Sequence, residues 1–175
     1  AYVLHLAVIA ILVVLNFILP AYHHGLLARI LVLATFAMGY NLLFGYVGLL
    51  SLGHAIFFAA GLYGAGLGVH HFELSVPVAF MAALACGAVL SLVIGLLALR
   101  TSGVAFMIVT MMFAQVLALA ILYFAPLTGG DQGLVLQQQE RVVHLGDTVL
   151  DLTNPMTRYM VALALFSNVL LLTLG

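Results

Sequence analysis

From Ile30 to His71 the chain reads ILVLATFAMGYNLLFGYVGLLSLGHAIFFAAGLYGAGLGVHH, and no Asp, Glu, Lys or Arg interrupts it. A helix needs about 20 apolar residues to cross the hydrocarbon of a bilayer. This stretch therefore predicts two spans, parted near Gly45-Tyr46-Val47-Gly48. Backbone polar groups find no water in lipid, and a helix satisfies them within its own segment.

Working outward, the charged residues punctuate further spans. Tyr2 to Leu19 predicts a first helix, closed by Pro20 and the polar turn Tyr22-His23-His24-Gly25, with Arg29 following. No basic residue precedes that run, so it reads as a helix rather than a signal peptide, with the native N-terminus missing. Val76 to Ala98 predicts a fourth span with Pro77 in its first turn, where the missing N–H costs nothing. Val104 to Ala125 predicts a fifth, ended by Pro126. Pro126 to Arg158 then holds six of the nine charged residues and the Gln137-Gln138-Gln139 run, and predicts a water-exposed loop. Within it, Arg141 to Leu152 with a central Gly146-Asp147 predicts a short β-hairpin. A sixth span is expected from about Tyr159.

Composition agrees. The 175 residues are 66% hydrophobic and 5% charged, and the mean hydropathy is +1.33. A soluble domain carries about 25% charged residues. The expected fold is an all-α polytopic transmembrane helix bundle of about six spans, a single incomplete domain over 1–175 with one larger loop over 126–158. There is no Lys and no basic patch, so nucleic acid is not an expected partner; membrane lipid is. The single cysteine, Cys86, lies in an apolar run and allows no internal disulfide. No phosphate-binding loop of the form G-x-x-x-x-G-K-[ST] is present, so if ATP is used, another chain hydrolyses it. Arg100 favours a cytoplasmic Leu99-to-Gly103 loop, whereas Arg29, Arg141 and Arg158 then fall outside, so charge alone leaves orientation open.

Small residues recur at helical spacing: Ala60, Gly64 and Gly68; Ala83, Gly87, Ser91 and Gly95; Thr110, Ala114 and Ala118. Such ridges let helices approach closely in lipid, and the same spacing serves the lining of a path. Polar groups at membrane depth face the protein interior or a wet cavity. Asn41, Ser51, His54, Thr110 and Gln115 are the candidates, with Asn41 and Ser51 flanking the break between the second and third spans. Ser51 also reads as a cap of the third helix, and His54 as an interior histidine. Ser51 and His54 are three apart and would neighbour on one helix face, but no hydrolase motif surrounds them. A haem protein needs facing histidine ligands, and only His54 is central.

Gly39-Tyr40-Asn41-Leu42-Leu43-Phe44-Gly45-Tyr46-Val47-Gly48-Leu49-Leu50-Ser51-Leu52-Gly53-His54-Ala55-Ile56-Phe57-Phe58 resembles the signature of branched-chain amino-acid ABC permeases of the LivM type, close to N-L-L-x-G-Y-T-G-x-x-S-L-G-H-A-x-F-F. Val47 departs from the usual Thr. A second block, Leu99-Arg100, Gly103 and Phe106-Met107-Ile108-Val109-Thr110, is similar, with Ala105 in place of an aromatic and Gln115 where Glu is frequent. A third, Leu127-Thr128-Gly129-Gly130-Asp131-Gln132-Gly133-Leu134, resembles L-T-G-G-x-x-G-L. The resemblance covers Arg29 to Leu134 well and matches the N-terminal half of such a permease.

It implies a non-enzymatic subunit of a bacterial inner-membrane importer for branched-chain amino acids. It further implies a homologous permease partner, two ATP-binding subunits that carry the ATP, and a periplasmic substrate-binding protein. Asn41, Ser51, Gly53, His54, Thr110 and Gln115 would then belong to the path or gate. Thr128, Gly129, Gly130 and Asp131 would face the binding protein from an extracytoplasmic 126–158 loop. Related permeases carry urea or short amides, which stays an alternative substrate class. The family's E-A-A-like coupling loop does not occur before Gly175, so a fragment without ATPase coupling, or a passive channel or carrier, is the other alternative.

Overall fold

Pro20 sets the first corner of the chain. Its φ of −66° suits the residue that precedes a helix, and the helix restarts at once. The computed structural model describes residues 2–136, 142–145 and 148–173. Helix α1 spans Tyr2–Ile18 and α2 spans Ala21–Asn41. The polar residues 22–25, expected to form a turn, instead make the first turn of α2, and Arg29 lies within that helix. Two residues suffice for the break, because His23 N–H already reaches the Pro20 carbonyl at 2.9 Å.

Helix α3 covers Ala55–Phe72, α4 Val76–Ala98, α5 Val104–Tyr123, α6 Ala125–Thr128 and α7 Pro155–Leu172. Among the described residues, five segments are long and apolar enough to cross a membrane: Tyr22–Tyr46, α3, α4, α5 and α7. Helix α1, expected to span from Tyr2 to Leu19, has 17 residues. At 1.5 Å per residue its described part is about 25 Å long. The fold is the expected polytopic helical bundle. Strands β1 (Val142–Leu145) and β2 (Thr148–Asp151) pair as the expected hairpin, while Gly146 and Asp147 lie outside the described residues.

Two compact units divide the chain: Ala1–Leu42 with Leu150–Gly175, and Leu43–Val149. In the first, α7 buries Tyr159, Ala162, Phe166 and Leu170, spaced at three and four residues along one face, against Ala28 and Leu31 of α2. Tyr159 is fully buried, and its hydroxyl donates to the Leu12 carbonyl of α1 at 2.6 Å. An unbonded buried phenol would cost about 1–3 kcal/mol, so this bond fixes where α7 meets α1. His24 meets the Tyr159 ring edge-on at 5.5 Å, and its Nε2 lies 3.0 Å from the Asn16 carbonyl. Helix α7 begins before the expected Tyr159 because Asn154 caps it, accepting from the Met156 N–H at 3.0 Å, with Pro155 in the first turn. Arg158 is thus a helical residue and not the end of a loop.

In the second unit α3 and α4 form a tight antiparallel pair. A Cβ at Gly64 would lie 3.1 Å from Cys86 Cβ and 3.2 Å from Ala83 Cα, and one at Gly68 would lie 3.5 Å from Ala79 Cβ. Gly64 and Gly68 of α3 with Ala79 and Ala83 of α4 therefore serve close packing, the main source of helix association in lipid. Glu73 makes the reversal possible by adopting φ +48°, and Leu74 N–H bonds back to the Gly68 carbonyl at 3.1 Å. Helix α5 stops at Tyr123, two residues earlier than expected, and Pro126 falls inside the short α6 rather than after a span.

Candidate functional site

The break expected between the second and third spans is present and longer than its four signature residues. Helix α2 runs into a π-helical turn, Leu42–Tyr46, and the chain is then non-helical until α3 begins at Ala55. Gly48 takes φ +73°, a conformation that L side chains rarely adopt, and gives the chain its bend out of the π turn. Gly48 N–H donates to the Phe44 carbonyl at 3.1 Å and Leu49 N–H to the Leu43 carbonyl at 3.2 Å, so the turn closes its own backbone bonds.

This segment packs on the corner made by α4 and α5. Ile56 is buried with Ile94 and Ala98 at the end of α4 and with Phe106 in the first turn of α5, while Leu49 and Phe57 pack around them. Gly53 sits directly against the main chain of Thr110. A Cβ there would overlap the Thr110 carbonyl oxygen and lie 2.6 Å from its carbon. Only a residue without a side chain fits at this approach.

Of the path candidates, the structure brings Gly53 and Thr110 into contact. Ser51 and Thr110 are buried, each 4% exposed. The Thr110 hydroxyl is turned onto its own helix, donating towards the Phe106 and Met107 carbonyls at 3.0 Å each. His54 is half-buried, stands at the N-cap of α3 and meets the Phe57 ring edge-on at 5.6 Å. Two expectations for Ser51 need correction. It does not cap α3, since His54 occupies that position and no side chain caps it. Nor do Ser51 and His54 share a helix face, because both precede Ala55. The extra residues of the break, not legible from propensity, push the helix start beyond them. Asn41 ends α2 and Gln115 lies on α5; both are exposed.

The second cluster is the loop after α5. Thr128 is buried, and its hydroxyl donates to the Ile121 carbonyl at 2.6 Å while accepting from Gly130 N–H at 3.2 Å. Gly129 takes φ +77° and lies so close to the Gly133 carbonyl that a Cβ would overlap it. Gly130 takes φ +55°, with a Cβ there only 2.9 Å from that of Ala125. The four glycyl and threonyl positions thus build one tight turn, which presents Asp131 exposed. His71, at the end of α3, holds this turn through its Nε2, 3.1 Å from the Leu127 carbonyl. Leu134 lies over Gly66 of α3, where a Cβ would come within 2.7 Å of the leucine side chain. Neither His71 nor Gly66 stood out in the sequence, because their partners lie more than fifty residues away and no spacing signals them.

Between α3 and α5 runs an open groove of about 170 Å³, lined by Ala60, Tyr63, Leu67, Leu117 and Phe124 among others and ending on Thr128. Its walls are almost wholly apolar. It accepts aliphatic or lipid surface and offers almost no group to a polar ligand.

Comparison with known proteins gives one family. The model described as branched-chain amino acid transport system / permease component matches residues 23–174. No curated protein and no solved structure matches the chain.

Proposed function

Because the chain belongs to the branched-chain amino-acid transport permease family, we propose that it is the membrane-spanning subunit of an ABC importer that passes branched-chain amino acids across a bacterial inner membrane. The observation that carries this reading is the interrupted helix at residues 42–54, locked by the Gly53–Thr110 contact. Irregular backbone at membrane depth is tolerated where protein buries it or where it lines a cavity, and transporters build substrate sites from such breaks. In this reading the break and the α4–α5 corner form a gate that moves as one piece. Ser51, Gly53, His54 and Thr110 supply its close-packed side, and Gln115 supplies a polar group towards the path.

The subunit does no covalent chemistry. Energy comes from ATP on two partner subunits, a homologous permease completes the path, and a periplasmic protein delivers substrate to the segment between α5 and α7. That loop's turn at Thr128, Gly129, Gly130 and Asp131 supports docking, since it holds an exposed carboxylate on a backbone fixed by internal bonds. The apolar groove between α3 and α5 favours aliphatic substrates over urea or short amides.

The test is uptake into proteoliposomes holding the importer assembled with its ATP-binding and substrate-binding subunits. Uptake of leucine, isoleucine or valine that needs ATP is expected. Uptake that persists without ATP would make the chain a passive carrier, and preference for urea would move it to the amide-carrying branch.

A further inference from the structure

The first unit carries a cluster that the transport reading does not use. Arg29 of α2 and Arg158 of α7 line one cleft of about 220 Å³, together with Tyr22, Gly25 and Leu26. These are two of only four basic residues in the chain besides histidine. Among the described residues, none that lines the cleft is acidic and neither guanidinium has an ion-pair partner. The one described carboxylate just before α7, Asp151, is engaged by the Thr153 hydroxyl and N–H.

Position matters as much as charge. Arg29 lies eight residues into α2, about 12 Å along its axis, and Arg158 three residues into α7, about 5 Å. Both helices begin at this end of the unit, since His24 near the start of α2 contacts Tyr159 near the start of α7. The cleft therefore lies towards the end where both helices begin, a position that suits interfacial Tyr side chains and the long stems of Arg. Two guanidinium groups that line one cleft, with no carboxylate among its described lining, repel each other. A bound anion removes that cost, and the planar fork of Arg matches phosphate with paired hydrogen bonds.

The geometry points to a phosphate-binding site at Arg29 and Arg158, filled by the headgroup of an anionic lipid or by free phosphate. The site lies outside the proposed gate and does not depend on the substrate carried.

The intact chain is reconstituted in nanodiscs with equal phosphatidylcholine and phosphatidylglycerol, and co-retained lipid is measured by native mass spectrometry. Phosphatidylglycerol is expected to be retained over phosphatidylcholine by about tenfold or more, as charge-assisted hydrogen bonds would give. That preference should vanish in Arg29→Gln/Arg158→Gln and persist in Arg100→Gln. In detergent, a rise in melting temperature with inorganic phosphate, absent from the same double variant, would identify the free anion as occupant. Should the double variant not fold, Arg29→Lys/Arg158→Lys keeps the charge but loses the fork, and should show a weakened preference. Equal retention of both lipids together with no response to phosphate overturns the proposal, as does a preference that survives in the folded Gln variant.

Discussion

The α-carbon of Gly53 rests on the main-chain carbonyl of Thr110, so that the break before α3 and the first turns of α5 touch backbone to backbone. The contact joins two of the sequence blocks that carry the family resemblance, although fifty-seven positions separate them.

Gly53→Ala should therefore displace the break or α5. Overpacking a close contact costs about 1–3 kcal/mol. A lower melting temperature of the assembled importer and a loss of uptake by about tenfold or more are expected, with Gly53→Leu worse. Wild-type uptake by both variants would show that the contact is dispensable.

Thr110→Val should behave differently. The hydroxyl bonds only to carbonyls of its own helix, which already accept backbone N–H groups. Its loss should leave melting within about 1 kcal/mol and uptake within about threefold of wild type. A severe loss of uptake with stability intact would instead give the hydroxyl a direct part in the path.

Thr128→Val removes a buried donor to Ile121 and the acceptor for Gly130 N–H. Leaving that N–H buried and unbonded should cost about 1–3 kcal/mol, while Thr128→Ser should retain most of the stability. Thermal unfolding of the two variants side by side distinguishes loss of the hydroxyl from loss of the methyl.

Gly129→Ala meets two obstacles at once: φ +77° and the Gly133 carbonyl. Strain of about 1–3 kcal/mol is expected from the backbone angle alone. On the proposed outward placing of this turn, capture by the substrate-binding protein should fall in a pull-down, whereas Asp131→Asn should weaken it without lowering the melting temperature.

The Thr153 hydroxyl and, to a lesser degree, its N–H hold the Asp151 carboxyl below its ordinary value of 3.8. A carboxylate lowered in the folded state stabilises its turn above the unfolded value, and that contribution is lost as pH falls through the folded one. Hydrogen exchange at the Thr153 N–H should thus accelerate only below about pH 4, and Asp151→Asn should abolish that pH step.

Much of the fold was legible. Long runs without charge located α4 within its true bounds, and the Gly45–Gly48 signature located the break. The hairpin was legible from Gly146-Asp147 between short strands. The misreadings share a cause. Histidines, Arg29 and Arg158 read as loop markers in the sequence, but a helix end in a bilayer tolerates polar side chains that reach the interface. Boundaries therefore followed Pro20 and Asn154, which act on the backbone, rather than the charges. In the site, Gly53 was a candidate through its motif alone. Its contact with Thr110 comes from tertiary packing, which has no periodicity to read. The same holds for His71 on Leu127.

The bond from Tyr159 to Leu12 has a consequence for how the chain comes to be. Its two ends belong to α7 and α1, and the whole of the second unit is synthesised between them. That second unit is one continuous stretch and has all its parts as soon as Val149 has left the ribosome. The first has to wait. Until α7 is inserted, α1 and α2 stand in lipid with the Leu12 carbonyl and the Ala28–Leu31 face uncovered, so helices made before the second unit find their place after it.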